Sequence, residues 1–424
     1  MLPRMSDPPA SGADPPRVAP LAGGSTAAPA SGASAPPVPG RARLTPHVGA
    51  LDGLRALAVM LVVLTHAAFL TGTADDGLAG RLMARGDFGV AIFFGLSGYL
   101  LHRGLLREAA SPSASLRRAG LRGYALRRAA RVLPAYWLTL TVVVAVTGPP
   151  WRDVVLHALG AQIYVAGSQL DSFSQSWSLA TELSFYAALP LVVMILRPVR
   201  RRRPGLPLTL LLGAGVVLTL AGGLTESADL ARDVPYERWL PARAPNFLVG
   251  MILAEAAVRP GHPISTRLRA LAALPGPVLG LGAAAYVLAT SSLTGVLTLG
   301  VTPGWHQSVK TLLSCVVTGA LMVPLILGPP GGLGRALGAP LPAWLGRVSY
   351  GIFLWHLPVF TALLALSGIE TFTGGLLPLL IFGGAITLVL AAASYHWVEL
   401  PAMRWAAGRS AAGARRRPAA ARPE

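Results

Sequence analysis

Charge is scarce in this chain: 13% of its residues are charged, against about 25% in an average soluble protein. Cysteine and lysine are each represented once, by Cys315 and Lys310. A lone thiol excludes intrachain disulfides and any metal centre built on clustered cysteines. In its apolar surroundings Cys315 reads as a packing residue. No P-loop, dinucleotide fingerprint, HExxH or GxSxG stands in a suitable context, which removes the enzyme classes those motifs mark. The short alternating segments of a membrane β-barrel are missing. So is a repeat of fixed period, such as the two-fold internal repeats common in transporters.

What remains is apolar. Hydrophobic residues make up 53% of the 424, gathered in blocks of roughly 17–25, long enough to cross a bilayer as helices. The reading is an all-α polytopic membrane protein with about ten spans, near 51–70, 88–106, 133–148, 177–196, 207–223, 243–258, 270–290, 308–328, 345–366 and 374–396. The stretch 151–170 is amphipathic and reads as an interfacial helix. Residues 1–46 hold 11 of the 37 prolines and lack a continuous apolar core. They read as a disordered tail rather than a signal peptide. Residues 405–424 read as a second loose, basic tail, leaving 47–404 as the membrane domain.

The net charge of +18 does not point to nucleic acid, because the arginines cluster between apolar blocks and in the tails. Membrane lipid headgroups and topology account for them. With both termini cytoplasmic, the inner connections 101–132, 197–206, 259–269 and 329–347 carry half of the 36 basic residues. The outer connections carry most of the loop acids. The positive-inside rule therefore favours ten spans with both ends inside.

Several ionisable residues sit inside these spans, where they are costly and by default functional. In LDGLRALAVMLVVLTHAAF (51–69), Arg55 and His66 are eleven residues apart. That separation places them on one helix face but about 16 Å apart along the axis. They cannot touch, so a shared role requires a long ligand. Asp52 lies one turn from Arg55 and can pair with it. A packed histidine beside a snorkelling arginine is the plain alternative.

In SWSLATELSFY (176–186), Glu182 is a carboxylate within a span and Trp177 a residue of the interfacial belt. Counted from the outer span ends, Glu182 and His66 fall at similar depth, about 6–7 Å in. A carboxylate there would fix the histidine tautomer and raise its basicity. Packing glue is the competing reading of Glu182. In RGYALRRAARVLPAYW (122–137), Arg128 and Arg131 face together at i,i+3, suited to a polyanion through bidentate guanidinium–phosphate bonds. Topology and headgroups explain the same arginines.

FFGLSGYLL (93–101) places Gly95, Ser97 and Gly98 where helices approach closely. In YGIFLWHLPVF (350–360), His356 lies near mid-membrane, lining a cavity or bonding a carbonyl. In SYHWVELPAMR (394–404), Glu399 and Arg404 read as a local salt bridge. His157 and Glu255 have no evident companions.

These motifs, in this order over about 48–404, resemble the acyltransferase 3 family of bacterial integral-membrane O-acyltransferases. The resemblance implies about ten helices and an acyl-CoA donor, acetyl-CoA foremost, as co-substrate rather than resident cofactor. It implies no metal. The acceptor would be a hydroxyl on a surface glycan, a lipid or a macrolide-type natural product, and the location a bacterial plasma membrane. Arg55 and His66 match the family's arginine and histidine, Arg128 and Arg131 its Arg-x-x-R pair, and Glu182 its Trp-Ser-Leu-x-x-Glu glutamate. The expected site is thus His66 and Glu182 as catalytic residues, with Arg55, Asp52, Arg128, Arg131, Trp177, Ser178 and His356 binding substrate. Gly95 stands where a larger apolar residue is common, which could alter the groove. The family's usual second acid before Glu182 is missing, and the esterase-like extension that some members carry is not expected here. A transporter or flippase of a lipid-linked glycan is the rival reading.

Overall fold

The computed structural model describes residues 46–110, 118–227, 235–295 and 304–415. The proline-rich segment up to residue 45 and the last nine residues lie outside that range. Among the described residues every regular element is helical. The first half of the chain forms α1 (Pro46–Leu70), α2 (Gly77–Ala84), α3 (Phe88–Ala110), α4 (Arg118–Thr147), α5 (Trp151–Ala158), α6 (Trp177–Arg202), α7 (Leu206–Ser227) and α8 (Leu240–Val258). The second half forms α9 (Pro263–Ala272), α10 (Pro275–Leu288), α11 (Trp305–Leu327), α12 (Gly332–Leu337) and α13 (Pro340–Ser367). It closes with α14 (Leu376–Pro378), α15 (Gly384–Ser394) and α16 (Leu400–Arg415), joined by π-helical turns at Leu379–Gly383 and Tyr395–Glu399.

Eight stretches among the described residues are long and apolar enough to cross a membrane, or nine if α9 and α10, bent by 92° at their junction, count as one. Eight of the ten expected spans coincide with them to within two residues at the overrunning ends. The seventh is the bent pair, broken where Pro275 opens a new helix. The sixth is α8, whose 19 residues include Arg243, Asn246 and Glu255. These polar groups lower its hydropathy, and the neighbouring helices cover them. Six prolines lie inside long helices, at 134, 190, 198, 245, 324 and 358. Neighbouring helices can re-satisfy the backbone groups such residues free.

Two expectations need correction. The amphipathic stretch 151–170 is not one helix. It breaks after α5 at Gly160, which holds φ +66°, a conformation that costs glycine nothing. The tail read as loose from residue 405 is helical through Arg415 in α16, which packs along α4 and buries Ala406.

α1 lies between α13 and α3. Val59, Val62 and Val63 share one apolar core with Val348, Ile352 and Leu354 of α13, while Leu54 and Ala58 share another with Ile92 and Leu96 of α3. Glycines set the α1–α3 register. A Cβ at Gly86 would strike the Leu61 carbonyl, and one at Gly89 the Ala58 carbonyl. The two helices are therefore antiparallel, with Gly86, in the 3₁₀ turn just before α3, and Gly89, in the first turn of α3, opposite residues 58–65 of α1. Ser97, eight residues past Gly89, then sits about 12 Å further along, towards the Arg55 end.

Candidate active site

Arg55 is anchored by its own helix: Nη1 donates to Asp52 Oδ1 at 2.6 Å. Three turns on, His66 Nδ1 lies 2.8 Å from the Val62 carbonyl oxygen. The other contact of that nitrogen is His356 Nε2 of α13, at 3.3 Å.

The two ends of this helix face line two different cavities. The histidine cavity, about 100 Å³, is bounded by His66, Trp177, Asp87 and Arg243, with Asn246, Gln307 and Lys310. The arginine cavity, about 110 Å³, is bounded by Arg55, Arg128, Arg131, Ser97, Ser178 and Glu182. Val90 and Phe94 belong to both linings and form the wall between them. Arg55, Arg128 and Arg131 also line an open depression that includes Asp52 and Arg347. The cationic depression thus shares three arginines with the arginine cavity, which in turn shares two residues with the histidine cavity.

The arginine cavity is wired to two acids, the buried Glu399 and the half-buried Glu182. Arg131 Nη1 meets Glu399 Oε2 at 3.3 Å, and its guanidinium stands 6.0 Å from the Tyr350 ring centre. Ser97 Oγ donates to Glu182 Oε1 at 2.5 Å. The buried Arg128 Nε has no hydrogen-bond partner among the described residues, so it can still donate to an anionic ligand. The histidine cavity is ringed by ion pairs, including Lys310 Nζ to Asp87 Oδ2 at 2.7 Å. Arg243 lies 4.9 Å from the Trp177 ring centre.

The structure gathers the expected residues but divides them. Arg55, Asp52, Arg128, Arg131, Ser178 and Glu182 belong to the arginine side. His66, His356 and Trp177 belong to the histidine side. The expected pairing of Glu182 with His66 is not formed, because Glu182 bonds Ser97 in the other cavity. The depth estimate failed at the start of the span. Six residues of 3₁₀ helix, Asp171–Ser176, precede Trp177 within it, carrying Glu182 deeper than a count from Trp177 gives. Trp177 correspondingly lines a cavity rather than only marking the interface.

Further corrections concern charged partners and the glycine-rich motif. Glu399 bonds Arg131, not Arg404 as a local bridge. Glu255, which had no evident companion, is held by His102 at 2.9 Å, by Arg259 at 2.9 Å and by Arg200. His157 accepts from the Leu170 amide at 3.5 Å, and its Nδ1 lies 2.9 Å from the Asp153 carbonyl oxygen. Gly95 does not shape the groove. A Cβ there would meet Thr318 and Met322 of α11, so its smallness serves helix packing. Sequence reasoning missed Ser97 as a partner of Glu182, and it missed the Lys310–Asp87 pair. The signal for the latter was available: an acid and the chain's only lysine, each at the edge of an apolar block.

A family model described as an acyltransferase domain matches residues 48–396. The chain belongs to the acyltransferase 3 family. This acyltransferase domain is 28% identical over 386 residues to the peptidoglycan O-acetyltransferase OatA of Listeria monocytogenes, a match covering 84% of this chain and 56% of that protein. It is 23% identical over 383 residues to the O-acetyltransferase OatA of Staphylococcus aureus, covering 84% and 57% respectively. The chain thus matches little more than half the length of these relatives. No solved structure matches it.

Proposed function

We propose that this acyltransferase 3 chain is an integral-membrane O-acyltransferase that moves an acyl group, acetyl foremost, from acyl-CoA to a hydroxyl of a cell-envelope glycan. One observation carries the reading: Arg55 and His66 lie on one face of one helix yet line separate cavities that share only Val90 and Phe94. A ligand with an anionic head and a long, thin reactive arm fits that arrangement, and acyl-CoA is such a ligand. Its phosphates would meet Arg128 and Arg131 at the open depression. Its arm would pass Arg55, Ser178 and the Ser97–Glu182 pair, bringing the thioester to the Val90–Phe94 septum. The acceptor would enter from the histidine cavity, whose amide, hydroxyl and aromatic side chains suit a hydroxyl-rich ring.

In this scheme the acceptor oxygen attacks the thioester carbonyl carbon. His66 takes the hydroxyl proton, the carbon–sulfur bond breaks, and the CoA thiolate leaves as the thiol. Glu182 serves the arginine cavity, orienting Ser97 rather than His66. The names of the relatives support a glycan acceptor over a natural product, and nothing in the site favours a transporter. The test is direct. Purified full chain in lipid, given radiolabelled acetyl-CoA and peptidoglycan fragments, should transfer label to the glycan. Binding without transfer to any glycan would overturn the reading.

The orientation belongs to the same proposal. Ten crossings with both ends cytoplasmic, in a bacterial plasma membrane, place the arginine depression on the side where acyl-CoA is made. The basic connections support that side. A reporter fused after Glu424 should read cytoplasmic, and an extracytoplasmic signal would invert the scheme.

A further inference from the structure

As neutral rings, the two facing imidazoles allow only one arrangement of their protons. His66 Nδ1 lies 2.8 Å from the Val62 carbonyl oxygen, and His356 Nδ1 lies 3.1 Å from the Ile352 carbonyl oxygen. A carbonyl oxygen only accepts, so each Nδ1 carries the hydrogen. A neutral imidazole has one N–H, so both Nε2 atoms are bare. His356 Nε2 stands 3.3 Å from His66 Nδ1. The single His66 N–H is therefore shared between the Val62 oxygen and His356 Nε2. Placing the hydrogen on His356 Nε2 instead would turn the lone pairs of both Nδ1 atoms against carbonyl oxygens.

We propose that His356 is the positioning residue of the transfer site: its bare Nε2 accepts the His66 Nδ1 hydrogen, which leaves His66 Nε2 unprotonated on the cavity side as the base. This rests on the reading of His66 given above. Three features support it. Among the described residues no carboxylate hydrogen-bonds to either ring, so the orienting role that an acid fills in a hydrolase triad falls to a neutral group. His356 is fully buried and His66 is half-buried in the cavity wall. His356 is also locked in place, bonded to its own helix and packed against the Phe353 and Phe360 rings. When His66 Nε2 takes the acceptor proton, the shared hydrogen bond becomes charge-assisted and strengthens. The proton then leaves from Nε2 to the departing thiolate. His356 ends as it began, with no net change in its own protons.

The test compares His356→Gln with His356→Leu and His356→Met in purified full chain. The glutamine amide oxygen can replace Nε2 as acceptor, while the two apolar side chains fill the space without one. His356→Gln should keep kcat within about tenfold of wild type. The apolar variants should lose about 100-fold or more in kcat, within the usual range for acid–base groups, with KM for acetyl-CoA unchanged. Equal activity in all variants would overturn the proposal, and so would equal loss in folded, acetyl-CoA-binding Gln and apolar variants. Nitrogen-15 solid-state NMR of the unmutated chain tests it without any risk to folding. The His66 signal, assigned by its loss in His66→Gln, should show Nδ1 protonated and Nε2 bare, and the opposite tautomer would overturn the proposal. The spectrum reads the tautomer whether or not a glycan is acylated, so failure of this inference and failure of the proposed function are separable.

Discussion

His66→Ala should stop acyl transfer while acetyl-CoA still binds. The separation of the two cavities makes both halves of that expectation specific. The phosphate-suited Arg128 and Arg131 belong to α4 and line a different cavity from His66, so removing the imidazole leaves them untouched. What is lost is the base for the acceptor hydroxyl, and such groups contribute about 10²–10⁴-fold to a rate. The expected signature is a fall of that size in kcat with KM for acetyl-CoA little changed. Arg55→Met should do the reverse, because Arg55 sits on the arm's path and is itself held by Asp52 at 2.6 Å. Normal turnover in a folded His66→Ala chain would remove His66 from the chemistry altogether.

The reach of the sequence is clearest along α1. Helical arithmetic places Arg55 and His66 on one face and out of contact, and the structure gives each its own cavity along that face. The i,i+3 pairing of Arg128 with Arg131 and of Asp52 with Arg55 is equally local, and both appear. The spans were legible because a bilayer demands long apolar runs. Where polar side chains interrupt such a run, as in α8, periodicity says less, since neighbouring helices can cover them.

Contacts that close over long sequence distances were not legible. His356 bonds His66 across 290 residues, and Glu399 meets Arg131 across 268. Neither pairing leaves a period or a spacing to read. The assignment of Glu182 to His66 shows how such a gap misleads. Depth estimated from a span boundary is sensitive to where the helix starts. The span that carries Glu182 begins with 3₁₀ turns before Trp177, so a count from Trp177 starts too late, and the carboxylate lines the other cavity. What the sequence offered as a catalytic pair became two half-sites, with a serine beside the acid and a second histidine beside the first.

The second large effect concerns stability. Glu255→Ala should weaken the fold by about 3–5 kcal/mol, the range for breaking a buried ion pair by removing one partner. The Glu255 side chain is fully buried, and its two oxygens serve three donors. Oε1 takes His102 Nε2 at 2.9 Å and the Arg200 guanidinium, and Oε2 takes Arg259 at 2.9 Å. Those donors come from α3, the end of α6 and the residue after α8. One carboxylate thus ties three helices together at the end of the bundle where Arg200–Arg202 and Arg259 cluster. Removing it leaves two guanidiniums facing each other with little solvent, since their side chains are 18% and 17% exposed. The side chain of His102, wholly buried, loses its hydrogen bond to that carboxylate. Glu255→Gln keeps an oxygen for His102 but gives up the charge, so it should fall between Ala and wild type. Thermal unfolding of the three proteins in one detergent would show this order. Equal midpoints for Ala and wild type would mean that headgroups or water already neutralise the arginines. The histidine cavity stands on the α3–α8 packing, with Asn246 of α8 in its wall, so the Ala variant should also lose acyl transfer at temperatures where wild type is stable, and recover it on cooling.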